Sequence, residues 1–104
     1  MSNDPILSRL GFARKAGRLA IGFASSKECV LSGKSKLIVA ASDISDKSFK
    51  EISYFANGKV TAVKIPNTLD QLSHAIGIKA GIVSVNDEGF ATAILKALEN
   101  NASK

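Results

Sequence analysis

Lys36-Leu-Ile-Val-Ala-Ala-Ser-Asp43 is the stretch that decides the fold. Leu37 to Ala41 is an uninterrupted apolar run with no polar alternation, the pattern of a strand covered on both faces. It predicts a central strand with helices packed above and below.

Toward the C-terminus, the loop Ser42 to Asp46 leads into a helix with Phe49, Ile52 and Ala56 on one side, closed by Asn57-Gly58. Val60 to Ile65 reads as the next strand, stopped by Pro66. Thr68-x-x-Gln71 is a capping box opening a short helix that turns Leu69, Leu72 and Ile76 inward and ends at Gly77. Gly81 to Val85 is a further buried strand. Asn86 or Asp87 then caps a last helix in which Phe90, Ala93, Ile94, Ala97 and Leu98 recur at helical spacing.

Toward the N-terminus, Ser25 followed by Glu28 is a second capping-box pattern, predicting a helix that runs to Gly33. Leu19 to Ile21 is a short strand ended by Gly22. Asp4 and Pro5 suit the cap and first position of an opening helix, with Ile6, Leu10 and Ala13 on one face before Gly17. Helices and strands alternate throughout. The expected architecture is one α/β domain over residues 1–104, a three-layer α/β/α sandwich with a sheet of about four strands.

Charge is distributed unevenly over this framework. The overall balance is +5, and the first third carries all of it: Arg9, Arg14, Lys15, Arg18, Lys27, Lys34 and Lys36 face only Asp4 and Glu28, while the remainder is balanced. A positive field concentrated in one region attracts polyanions. Nucleic acid is therefore the expected partner.

Other classes find little support. Cys29 is the only cysteine, so an intramolecular disulfide and a cysteine-clustered zinc site are excluded, and a reducing, cytoplasmic setting is expected. Met1-Ser-Asn-Asp-Pro5 lacks a secretory pattern, and no apolar run approaches a membrane span. His74 stands alone and off the apolar face of its helix; Asp87 and Glu88 suit a helix's first turn without any acid–base role. There is no phosphate-cradling glycine loop and no cluster of metal ligands. The reading is of a protein that is not an enzyme and needs no cofactor.

Three runs in order carry a resemblance. Gly22, ten residues, Gly33 and then Lys34-Ser-Lys-Leu-Ile-Val-Ala-Ala-Ser-Asp43 form the first; Leu72-Ser-His-Ala-Ile-Gly77 is the second; Val83-Ser-Val-Asn-Asp-Glu-Gly-Phe-Ala91 is the third. Together they resemble the L-seven-Ae type of ribosomal proteins, small α/β/α sandwiches that bind kink-turn RNA, and the third run resembles the family's small bacterial branch. The resemblance implies that the N-terminus of the helix after Gly22 faces RNA, where unpaired amides and the positive dipole end suit a phosphate. It also implies contacts from Asp43 and Ile44, and from Ile76-Gly77-Ile78-Lys79 against an extruded nucleotide. Beside these stand Arg14, Lys15, Arg18, Lys34 and Lys36 as phosphate contacts, with Phe23 available to stack on a base.

In the family pattern, asparagine and glutamate read tandem G·A pairs and a lysine follows. Here those positions are Ala24, Ser25 and Glu28, with Lys27 one residue before the lysine position. Each of these residues also has a plain structural reading: Ser25 and Glu28 as a cap, Phe23 as packing, Asp43 as a turn former, and the isoleucines as core. Two functions follow from the sequence: an RNA-binding, ribosome-associated protein of altered specificity, or a protein-interaction module on the same scaffold.

Overall fold

The computed structural model describes residues 4–102. Met1 to Asn3, most of the N-terminal run without a secretory pattern, lie outside the described residues. The elements are α1 (Pro5–Lys15), β1 (Leu19–Ile21), α2 (Phe23–Leu31), β2 (Leu37–Ala40), α3 (Asp46–Ala56), β3 (Ala62–Lys64), α4 (Leu69–Ile76), β4 (Ile82–Val85) and α5 (Glu88–Ala102). The strands form a single sheet in the order β1-β4-β2-β3. Last in the chain, β4 lies between β1 and β2 and runs antiparallel to both, whereas β2 and β3 are parallel.

Strand β2 is buried along its whole length, with Leu37 to Ala41 all at 0% exposure. Side chains alternate between the two faces of a strand. Leu37, Val39 and Ala41 accordingly join Val83, Val85, Ile6, Leu10, Leu72, Ile76 and Ile94 in one core under α1, α4 and α5. Ile38 and Ala40 join Ile82, Val30, Ile52 and Ala56 in a second core under α2 and α3. The three-layer sandwich expected from the apolar run is therefore present, with two cores separated by one sheet.

Local signals set most element ends. Asp4 Oδ1 accepts from the Ile6 and Leu7 amides at the start of α1, and Asp87 Oδ2 accepts from the Phe90 amide at the start of α5. Thr68 and Gln71 form the reciprocal capping box of α4, whose far end closes on Gly77 at φ +79°. The strand expected over Val60 to Ile65 is shorter, because pairing with β2 extends only over Ala62–Lys64.

One expectation is corrected. Ser25 and Glu28 do not cap α2: the helix begins at Phe23, its N-cap is Gly22, and no side chain caps it. At φ 99° and ψ 164°, Gly22 occupies a region essentially reserved for glycine, so the chain leaves β1 and enters α2 within one residue. Ser25 is thereby carried inside the first turn, beyond the cap position.

Candidate nucleic-acid interface

β1 and β2 both run antiparallel to β4, so they are parallel to each other and finish at the same end of the sheet. At that end the Gly22 amide donates to the Ile82 carbonyl at 2.8 Å and the Ala41 amide to the Gly81 carbonyl at 2.9 Å. These bonds gather the start of α2, the turn after β2 and the loop before β4. A Cβ on Gly81 would meet Leu69 Cδ1 at 3.1 Å and Ile44 Cδ1 at 4.0 Å, which shows how tightly the last two segments are packed.

The predicted residues at this end have different surroundings. Ala24 and Ser25 are exposed in the first turn of α2, and no acidic side chain shares that turn. Phe23 is half-buried against the second core, so its ring packs rather than standing free. Ile44 is half-buried on the same core. Asp43 has a structural partner, since its Oδ1 accepts the Leu69 amide at 2.8 Å and ties the β2–α3 turn to α4. Beyond Gly77 the α4–β4 loop presents Ile78, 47% exposed, and an exposed Lys79. The Ser73 hydroxyl braces that loop by accepting from the Ala80 amide at 3.0 Å.

Ile76 requires a correction. At 2% exposure it belongs to the core beneath α4, not to a surface that meets a nucleotide. Its helical spacing from Leu69 and Leu72 was the signal, and that apolar face points at the sheet.

The basic residues do not form one patch. Arg14 reaches α4, its Nη1 lying 3.4 Å from where a Cβ on Gly77 would stand. Lys15 lines a groove between α1 and α4 together with His74 and Phe12. Lys27 lies over the Phe55 ring, with Nζ 4.2 Å from the centroid, so its head group is turned toward α3. Arg18, Lys34 and Lys36 belong to the opposite end of the sheet: the Lys36 amide donates to the Val85 carbonyl and the Asn86 amide to the Arg18 carbonyl, each at 2.8 Å. Gly22 follows β1 whereas Lys36 precedes β2, and in parallel strands those positions are at opposite ends. Grouping Arg18, Lys34 and Lys36 with the Gly22 loop is thus overturned by strand direction.

Gly22 controls the geometry of the site. Nothing lies within 4 Å of a Cβ added there, so Gly22→Ala would meet backbone strain and no collision. The substitution is expected to cost about 1–3 kcal/mol of folding stability, measured by urea denaturation. A loss below ~0.5 kcal/mol would show that the helix start adapts without glycine.

The chemistry available is that of binding. A helix N-terminus without a side-chain cap, the exposed Lys79 and exposed apolar side chains suit phosphate and base contacts. Among the described residues no group of three or more His, Cys, Asp and Glu is placed to hold a metal ion. The Cys29 sulfur, half-buried in α2, instead accepts from Asn86 Nδ2 at 3.4 Å.

A small mixed-sheet sandwich with this helix start and this neighbouring loop defines an architecture used by ribosomal proteins. The Ribosomal protein L7Ae/L30e/S12e/Gadd45 family matches residues 4–95, and the chain belongs to it. It is 33% identical to the large ribosomal subunit protein eL30 of Dictyostelium discoideum, a match covering 97% of this chain and 92% of that one. It is 29% identical to eL30 of Yarrowia lipolytica, covering 85% and 84%. Among solved structures, a protein of unknown function from Bacillus halodurans C superposes with a TM-score of 0.87 at 23% identity, covering 93% of this chain and 99% of that one. The Giardia lamblia 15.5kD RNA binding protein superposes with a TM-score of 0.73 at 15% identity, covering 99% and 92%. Both structural likenesses confirm the fold.

Proposed function

We propose that this protein binds structured RNA as a ribosome-associated component, using the end of the sheet where α2 begins. The observation that carries this reading is the open α2 N-terminus. Gly22 supplies no side chain to occupy the first-turn amides, no acid competes for them, and Ala24 and Ser25 leave the approach unobstructed. Lys79 on the neighbouring loop adds a cation. The eL30 relatives, named as large-subunit ribosomal proteins, support a ribosomal partner and with it a cytoplasmic location. No helix among the described residues is long and apolar enough to cross a membrane.

Affinity in this reading comes mainly from phosphates, and strict kink-turn recognition is relaxed. Ala24 has no hydrogen-bonding side chain, Ser25 is short, and Glu28 places an exposed negative charge where the family pattern has a lysine. The run Val83 to Ala91 supports a place in the small bacterial branch, beside sequence relatives from Dictyostelium and Yarrowia. The competing role as a protein-interaction module draws on Tyr54, which is 77% exposed on α3.

Electrophoretic shifts with kink-turn RNA and with total ribosomal RNA, repeated across a salt series, test the proposal. Binding at low salt is expected for both, weakening linearly in log–log form as salt rises. Lys79→Gln should reduce the magnitude of that slope by about 1 and lower affinity for both RNAs alike. Absence of binding to either RNA at low salt would remove RNA binding and leave the interaction module.

A further inference from the structure

At the end of the sheet opposite the α2 N-terminus, the turns following α2 and α3 line an open cavity of about 350 Å³. Val30, Leu31 and Val60 form its apolar lining; Ser35, Lys36 and Lys59 supply the polar one. Ser35 is only 3% exposed, yet its Oγ has no hydrogen-bond partner among the described residues. Native proteins rarely leave a buried hydroxyl unmet, because its lost hydration is not recovered. Neither lysine is in an ion pair among the described residues.

We propose that this cavity is a second phosphate-holding site, in which Ser35 Oγ donates to a phosphodiester of bound RNA while Lys36 and Lys59 neutralise it. The inference rests on the RNA-binding reading above and extends it to the far end of the molecule. The donors must be side chains, because the amides of Ser35 and Lys36 already donate to the Cys29 and Val85 carbonyls. The carbonyl ends of α2 and α3 also face this region and would oppose an anion. That opposition is reduced where the Cys29 and Ala56 carbonyls accept amides from the turns themselves. A polymer fits better than a lone anion because the charge continues past the cavity. Arg18 stands on the other side of β4 from Lys36, about 10 Å away at ordinary strand spacing.

The test uses the full chain and the Lys36→Gln/Lys59→Gln double variant, with Ser35→Ala as a third protein. Total ribosomal RNA is titrated across a salt series, and thermal midpoints are recorded for each protein. The double variant is expected to bind roughly tenfold more weakly at moderate salt, with the slope reduced by about 0.7–0.9, the release expected for one neutralised phosphate. Ser35→Ala should weaken binding without changing the slope. Unchanged affinity and slope, with or without a lower thermal midpoint, would overturn the second site while the α2 site stands. Loss of all RNA binding in the unaltered chain would overturn both. Inorganic phosphate titrated into ¹⁵N-labelled protein separates the sources: saturable shifts at Ser35, Lys36 and Lys59 with phosphate, but none with RNA, would replace the polymer by a small phosphate compound and overturn the proposal.

Discussion

Ala24→Asn combined with Ser25→Glu is expected to give the protein a preference of roughly thirtyfold or more for a kink-turn RNA over the same RNA with its tandem G·A pairs replaced by Watson–Crick pairs. The unaltered chain should show a ratio near one. Both positions are exposed in the first turn of α2, so the new side chains point outward without displacing core atoms. A well-placed base-edge contact contributes about 1–3 kcal/mol, and two at the lower value correspond to roughly thirtyfold. A glutamate at the third helical position is also favoured by the dipole, so stability should not fall. Dissociation constants for the two RNAs, measured at one salt concentration, give the ratio directly. A change below about threefold would mean that the α2 N-terminus of this chain does not read base edges.

The largest effect on stability is expected at Leu72. It is fully buried at the centre of α4, in the core shared with α1, α5 and the sheet. Leu72→Ala should cost about 2–5 kcal/mol, because the methyls lose their burial and the surrounding structure collapses only partly into the space. For a domain of this size that corresponds to a fall of more than about 10 °C in thermal midpoint. Leu31→Ala provides the contrast: Leu31 is 56% exposed, and its truncation should stay within about 0.5 kcal/mol. Calorimetry on the two variants measures both. Equal losses would mean that burial does not govern the energetics of α4.

The sequence was most legible where a local pattern coincided with burial. Leu37 to Ala41 needs both faces covered, and both cores meet on it. Thr68 and Gln71 cap α4 as their spacing predicts, since that box is closed by residues within one turn. Ser25 and Glu28 have the same spacing without the same outcome, because Gly22 starts α2 before either can act. The failure was one of backbone: no side-chain pattern registers a glycine that turns strand into helix in a single step. The site was less legible than the fold. Arg18, Lys34 and Lys36 are neighbours of the Gly22 loop in sequence, and only the direction of β1 and β2 separates them in space. In sequence Asp43 suits a turn or a ligand contact equally, and only the fold brings to its Oδ1 the amide of Leu69, 26 residues further on.

The position of β4 between β1 and β2 has a consequence for synthesis. During translation β1 and β2 emerge early but make no ladder with each other; the strand that joins them is residues 82–85. The carbonyl that anchors the Gly22 amide belongs to Ile82. A nascent chain ending before that residue has the sequences of α1 to α4 and the basic residues of the first third but no means of holding the α2 start against its neighbouring loop. Such non-local closure is slow relative to helix formation, and domains generally fold as units. The end of the sheet where α2 begins is therefore assembled late, when nearly the whole domain has left the ribosome, so that a partly made chain does not present it.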